Sequence, residues 1–174
     1  MTSQAFVEKL NEQLGHEFGA HQQYVAIAAF YDAQTMPRMA ALFYDQAAEE
    51  RDHAMMMVQY LLDAGETPHI PALPAPVGEF GDVVEPVRAA LEQEKKVTEQ
   101  VNELNRIARA DGDFASEQFM QWFIREQVEE VAKMGDLLAV VTRAKDDVDR
   151  IEDWVAREET GESSDPTAPR IAGA

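Results

Sequence analysis

The stretch Gly65-Glu66-Thr67-Pro68-His69-Ile70-Pro71-Ala72-Leu73-Pro74-Ala75-Pro76-Val77-Gly78-Glu79-Phe80-Gly81-Asp82 decides the architecture of this chain. It holds 18 residues, four of them proline, and carries no helical spacing of apolar residues. On both sides of it apolar residues recur at three- and four-residue steps, and alternating β-branched runs are missing. That periodicity predicts helices over about 5–33, 37–64, 83–111 and 114–142, and a short fifth helix over about 147–157. Met36-Pro37, Ala64-Gly65 and Asp111-Gly112-Asp113 supply the stops. The links between helices one and two, and three and four, are a few residues long, so each joins antiparallel neighbours. Extended, the 65–82 segment reaches roughly 60 Å, whereas a helix of this size spans about 42 Å. It can therefore traverse the bundle and leave helices two and three parallel. The expected fold is all-α: a four-helix bundle with one long crossover connection and a short fifth C-terminal helix. Residues 1–157 form that domain, and 158–174, rich in Ser, Pro, Ala, Gly and acid, read as a flexible tail.

The 174 residues fit one domain. Cysteine is absent, which excludes disulfides, thiolate metal sites and thiol catalysis. The N-terminus lacks a basic stretch followed by an apolar run, and no uncharged apolar segment is long enough to span a bilayer. A cytoplasmic protein is expected. The net charge of −18 argues against nucleic acid and anionic membranes as partners, and is compatible with cations.

Within the apolar stripes lie polar residues that a core does not need. Helix one reads Leu10, Leu14, Glu17, His21, Tyr24, Ala28; helix two Phe43, Gln46, Glu50, His53, Met57; helix three Leu91, Glu94, Val97; helix four Phe123, Gln127, Glu130, Met134. Glu17, Glu50, Glu94 and Gln127 each sit close to the midpoint of their helix. Whatever the order of the helices, packing brings these midpoints to one level. Several carboxyls sharing one dry spot must take up protons or bind a multivalent cation. Glu oxygens with one imidazole suit iron, manganese or zinc. Glu-x-x-His puts both side chains on one helix face, but it occurs at Glu66–His69 in the proline-rich crossover as well as at Glu50–His53. The coincidence of four midpoints therefore carries the argument, not the motif. In the adjacent pairs Glu49-Glu50 and Glu129-Glu130 one residue of each is expected to face solvent. His16 and His21 read as structural, and Trp122 as packing.

The stretches Gln46-Ala-Ala-Glu-Glu-Arg-Asp-His-Ala54 and Gln118-Phe-Met-Gln-Trp-Phe-Ile-Arg-Glu-Gln-Val-Glu-Glu130, together with Glu17, Tyr24 and Glu94, resemble the bacterial non-haem ferritins, particularly those of actinobacteria. The likeness extends over about residues 5–157, and a bundle with one long crossover is the connectivity of ferritin-like folds. The resemblance implies a di-iron ferroxidase centre that oxidises Fe(II) with O2 or H2O2, with the ferric product stored as a hydrated oxide inside a 24-subunit shell. Glu17, Glu50 and His53 would hold the first iron, and Glu50 would bridge to a second held by Glu94, with Gln127 close by and Glu130 assisting. A further iron site would map to Glu49, Glu126, Glu129 and Glu130. Tyr24 would be a hydrogen-bond partner and electron donor. The fifth helix would line the fourfold axes. Arg51 stands where bacterioferritins place their haem methionine, so no haem is expected. Glu117 and Met120 fall where animal ferritins place two threefold-channel acids.

Three other readings compete: a DNA-protecting mini-ferritin, a soluble di-iron oxidase that stores no mineral, and a non-catalytic subunit of a mixed shell. The missing basic arm opposes the first, failure to mineralise would mark the second, and a complete set of midpoint ligands opposes the third. For the tail, Ile171 amid small residues suggests an encapsulating compartment as a candidate partner.

Overall fold

The computed structural model describes residues 2–158 and 165–173. Five helices follow one another: α1 (Gln4–Ala33), α2 (Pro37–Asp63), α3 (Glu85–Ala110), α4 (Phe114–Ala144) and α5 (Val148–Glu158). Their boundaries are set by local chemistry. The Ser3 hydroxyl accepts from the Phe6 N–H at the start of α1, and Asp113 accepts from the Ser116 N–H at the start of α4. Asp82 Oδ1 accepts from the amides of Val84 (2.8 Å) and Glu85 (2.9 Å), which moves the start of α3 two residues past the expected position. Pro37 opens α2, and the amides of Arg38 and Met39 are capped from α5 by the Glu152 carboxylate at 2.8 and 2.9 Å.

Helix ends use left-handed residues: Gly65 (φ +80°) after α2 and Gly112 (φ +67°) after α3. Between α1 and α2 that place is taken by Thr35 at φ +60°, with the Met36 amide donating 3.0 Å to the Tyr31 carbonyl. A β-branched residue there is strained by about 1–2 kcal/mol. Thr35→Asn, exposed and free to adopt this conformation, is expected to raise the thermal midpoint by about 2–4 °C. Differential scanning calorimetry would check this.

The core is two apolar clusters with a polar layer between them. One contains Tyr24, Tyr31, Met39, Phe43, Leu91, Met134 and Val141. The other contains Phe6, Leu14, Met57, Val97, Leu104, Met120 and Phe123. Along α1 and α4 the chain passes from the second cluster to the first; along α2 and α3 it passes the other way. Helices two and three are thus parallel to each other and antiparallel to one and four. The crossover accomplishes this by running the length of α1. The His69 amide donates to Asn11 (2.7 Å), Val77 exchanges two hydrogen bonds with Gln23, Phe80 packs on Phe30, and the Tyr31 hydroxyl donates to the Val83 carbonyl. Gly15 permits the close approach, since a Cβ there would lie 2.8 Å from Pro71 Cγ. Ile151 and Val155 bury α5 against the first cluster, with Trp154 partly buried beside them. Val148, at the start of the same helix, is 39% exposed.

Residues 165–173 belong to the segment expected to be a flexible tail, yet they lie against the bundle. Ala168, Ile171 and Ala172 pack on the second cluster, and the Ala172 amide donates to the Met55 carbonyl at 3.1 Å. Ile171, expected to be a handle for an encapsulating partner, is thereby partly covered by its own chain. Residues 159–164 lie outside the described residues.

Candidate metal centre

The polar layer is built from all four long helices. Gln13 and Glu17 come from α1, Gln46, Glu50 and His53 from α2, Glu94 from α3, and Gln127 and Glu130 from α4; every one is buried. Helical spacing puts Gln13 one turn from Glu17 on the same face, and its amide donates 2.7 Å to Glu17 Oε1. Among the described residues no amide or hydroxyl donates to the buried Glu17 Oε2, which faces the Glu50 carboxyl and shares a hydrogen bond with it when Glu17 holds a proton. Glu17 Oε2 lies 3.9 Å from His53 Nδ1, which is also 3.5 Å from Glu50 Oε2. Glu17, Glu50 and His53 each offer a ligand atom within 4.8 Å of the others'. Beside them the Tyr24 hydroxyl donates to Glu94 Oε1, and Gln127 Nε2 donates to Glu94 Oε2 at 3.1 Å and to the Glu94 carbonyl at 3.1 Å. Gln46 Nε2 donates 2.6 Å to Glu130 Oε2.

Burial dominates the electrostatics. It pushes the Glu17 and Glu50 carboxyls well above the ordinary carboxylate range; Glu50 adds to the shift on Glu17, and Glu94 to that on Glu50. Glu94 is also raised by burial, partly offset by the hydrogen bonds from Tyr24 and Gln127. Glu130 is raised by burial against the pull of Lys133. Tyr24 is held well above its usual range by burial and then by the Glu94 charge. The site is therefore a set of buried carboxyls around one imidazole, each pushed toward its protonated form.

Of the ten residues read from sequence, Glu17, Glu50, His53, Glu94, Gln127, Glu130 and Tyr24 are brought together. Glu49, Glu126 and Glu129 fall on the rim. Glu49 is partly exposed and 4.0 Å from Lys133, Glu126 is half-buried and raised chiefly by burial, and Glu129 is exposed. Each adjacent pair thus sends one carboxylate in and its neighbour outward. The expected structural histidines are each bonded away from the metal group: His21 Nδ1 donates across to the Ala47 carbonyl of α2 at 2.7 Å, and His16 pairs with Gln13 at 3.3 Å. His69 of the second Glu-x-x-His is exposed in the crossover. Met120, read as standing in place of a channel acid, is fully buried in the core, while Glu117 pairs with Arg109 at 2.7 Å. Arg51 is exposed and pairs with Asp52.

Sequence reasoning missed Gln13, which orients Glu17 and whose position one turn from that midpoint Glu was the available signal, and it placed Gln46 in the inward stripe without giving it a role. It also read Trp122 as packing alone. The indole is 8% exposed, edge-on to the His53 ring with centroids 5.5 Å apart, and it donates to Asp165. Among the described residues no helix is long and apolar enough to cross a membrane.

Comparison with known proteins agrees with this geometry. The ferritin-like domain family matches residues 7–144. The chain is 49% identical to ferritin BfrB of Mycolicibacterium smegmatis, over 94% of this chain and 91% of that protein. It is 37% identical to a bacterial non-heme ferritin of Staphylococcus aureus, over 84% and 89%. Among solved structures, an open-pore ferritin of Archaeoglobus fulgidus superposes with a TM-score of 0.87 at 26% identity, covering 93% of this chain and all of that one. The family match, the relatives and the polar layer that divides the bundle agree: this chain belongs to the ferritin family of iron-storage proteins.

Proposed function

We propose that the polar layer is a ferroxidase centre and that the chain stores iron as a ferric mineral inside a shell of its own copies, 24 by analogy with the family. The observation that carries this reading is the buried group of Glu17, Glu50 and His53, whose ligand atoms lie within 4.8 Å of one another. Two buried carboxyls this close ionise only at a cost, and a cation in reach of all three groups would offset it.

In this reading Glu17, Glu50 and His53 receive one Fe(II). Glu50, whose carboxyl feels the Glu94 charge, would also reach a second held by Glu94, with Gln127 and Glu130 assisting. Each Fe(II) gives up one electron. The pair reduces O2, taking up two protons, to H2O2, or reduces H2O2, again with two protons, to two waters. The carboxyls release their own protons as Fe(II) binds. Tyr24, donating to Glu94, fixes that ligand beside the reacting metals. The rim acids Glu49, Glu126 and Glu129, with Glu130, form an outward path or third site for ferric product. The net charge of −18 favours cation uptake by the assembly.

An aerobic Fe(II) titration of the metal-free protein tests this. Iron that stays soluble, oxidised and bound is expected to rise far beyond two ions per chain. A halt near two would replace storage by a di-iron oxidase, and no acceleration of oxidation over buffer would remove the ferroxidase assignment.

A further inference from the structure

The imidazole at the metal group is oriented in an unusual way. A metal-binding histidine is ordinarily fixed by a hydrogen bond from its second ring nitrogen to a carbonyl or carboxylate. Among the described residues the His53 ring makes no such bond; its Nδ1 faces only Glu50 and Glu17, at 3.5 and 3.9 Å. Aromatic edges hold it instead. Trp122 lies at 5.5 Å and 76°, and Phe123 at 5.8 Å and 76°, the two themselves perpendicular at 5.0 Å.

Trp122 is fixed in turn from outside the bundle. Its indole N–H donates 2.8 Å to Asp165 Oδ2, 43 residues along the chain. An indole nitrogen is a donor only, and when buried it needs an acceptor. Asp165 is itself held by a tight turn. The Thr167 amide donates to Oδ1 at 2.8 Å, the Thr167 hydroxyl reaches both oxygens at 2.7 and 2.9 Å, and Arg125 donates to that hydroxyl at 3.2 Å. Downstream, Ala172 is tied to Met55, two residues from His53 in α2, and Arg170 lies 3.6 Å from Asp63. The segment thus clamps α2 and α4 together behind the imidazole.

We infer that Asp165 is a positioning residue for the metal centre: by accepting from the Trp122 indole it fixes the aromatic edge that sets the His53 ring. This rests on the reading of Glu17, Glu50 and His53 as metal ligands. The C-terminal segment is then part of the site's support, although none of its atoms reaches the metal.

The test uses the full-length assembled protein in a Trp154→Phe background, which leaves Trp122 as the sole tryptophan. Asp165→Asn keeps an acceptor oxygen and Asp165→Leu removes it. Co(II), redox-inert here, reports the site by its ligand-field absorption, and Trp122 emission reports the indole. Asp165→Leu is expected to shift the emission to the red, alter the Co(II) spectrum and weaken Co(II) binding by about 3–10-fold, less than loss of a partner bonded directly to a ligand. Asp165→Asn is expected to restore the parent behaviour. A Co(II) titration of Asp165→Leu that superimposes on the parent overturns the inference, whatever the emission does. So does an equal loss in Asp165→Asn. If the parent takes up no Co(II) at this group, the metal reading itself fails and this inference falls with it.

Discussion

Glu50→Gln is expected to slow the initial oxidation of Fe(II) by about 100-fold or more, since loss of a ligand's outer partner alone costs about 10–100-fold, and at the same time to raise the thermal midpoint of the metal-free protein. The two effects have one cause. Glu50 is buried in the middle of the layer, and its carboxyl is pushed up by burial and then by Glu94, with Glu130 and Glu49 adding to it. Without a cation it stabilises nothing; its charge is what a cation needs. Glutamine keeps the shape and one acceptor oxygen, removes the charge and relieves Glu94. Relief of about 1–2 kcal/mol corresponds to about 2–8 °C in a domain of this size. Stopped-flow absorbance of the ferric product and calorimetry of the metal-free shell measure the two halves. An unchanged rate would remove Glu50 from the centre. A lower midpoint would show that the carboxyl holds the fold together rather than waiting for a metal. The same change at Glu129, exposed on the rim, should leave the midpoint where it was.

That contrast marks where the sequence was legible. Helix ends are written locally, in Ser3, Asp113, Gly65 and Gly112, and all five helices begin and end within two residues of expectation. The crossover was legible because proline spacing forbids a helix, and the length of what remains must go somewhere. The centre was legible because a stripe that turns polar at its midpoint has no packing reason to do so in four helices at once. Periodicity also told Glu50 from Glu49 and Glu130 from Glu129, since neighbours on a helix cannot share a direction.

What stayed hidden depends on partners remote in sequence. Residues 165–173 have the composition of a tail, and only the seat that Trp122 and Met55 offer gives Asp165, Ile171 and Ala172 something to bind. Val83-Val84 read as helix because apolar spacing continues through them, while the Asp82 carboxylate captures the amides of Val84 and Glu85 and delays the start. Thr35 gives no left-handed signal at all; the geometry of two tightly joined helices imposes it.

Affinity for a divalent cation is expected to climb steeply with pH, by up to about 100-fold per unit where two protons are displaced. Glu17 and Glu50 both hold their protons well above the ordinary value of 4.5, so a cation that needs the two carboxylates must expel them. The same groups make the metal-free protein behave in the opposite sense. A carboxyl whose folded pKa is raised leaves the native state with more bound protons than the unfolded chain from about 4.5 upward, so stability falls as pH rises through the folded pKa. The net charge of −18 pushes the metal-free midpoint the same way, through general repulsion. The midpoint alone is therefore a poor reporter, and the gap between the Co(II)-loaded and metal-free midpoints is a good one, because the surface charge largely cancels from it. That gap should widen from about pH 5.5 to about pH 7.5 at fixed free Co(II), and Glu17→Gln with Glu50→Gln should close it. A gap that stays level, or narrows toward high pH, would mean that the buried carboxyls are not the ligands. A layer costly to ionise when empty and neutralised when filled gives the fold a reason to bind metal, independent of what the metal then does.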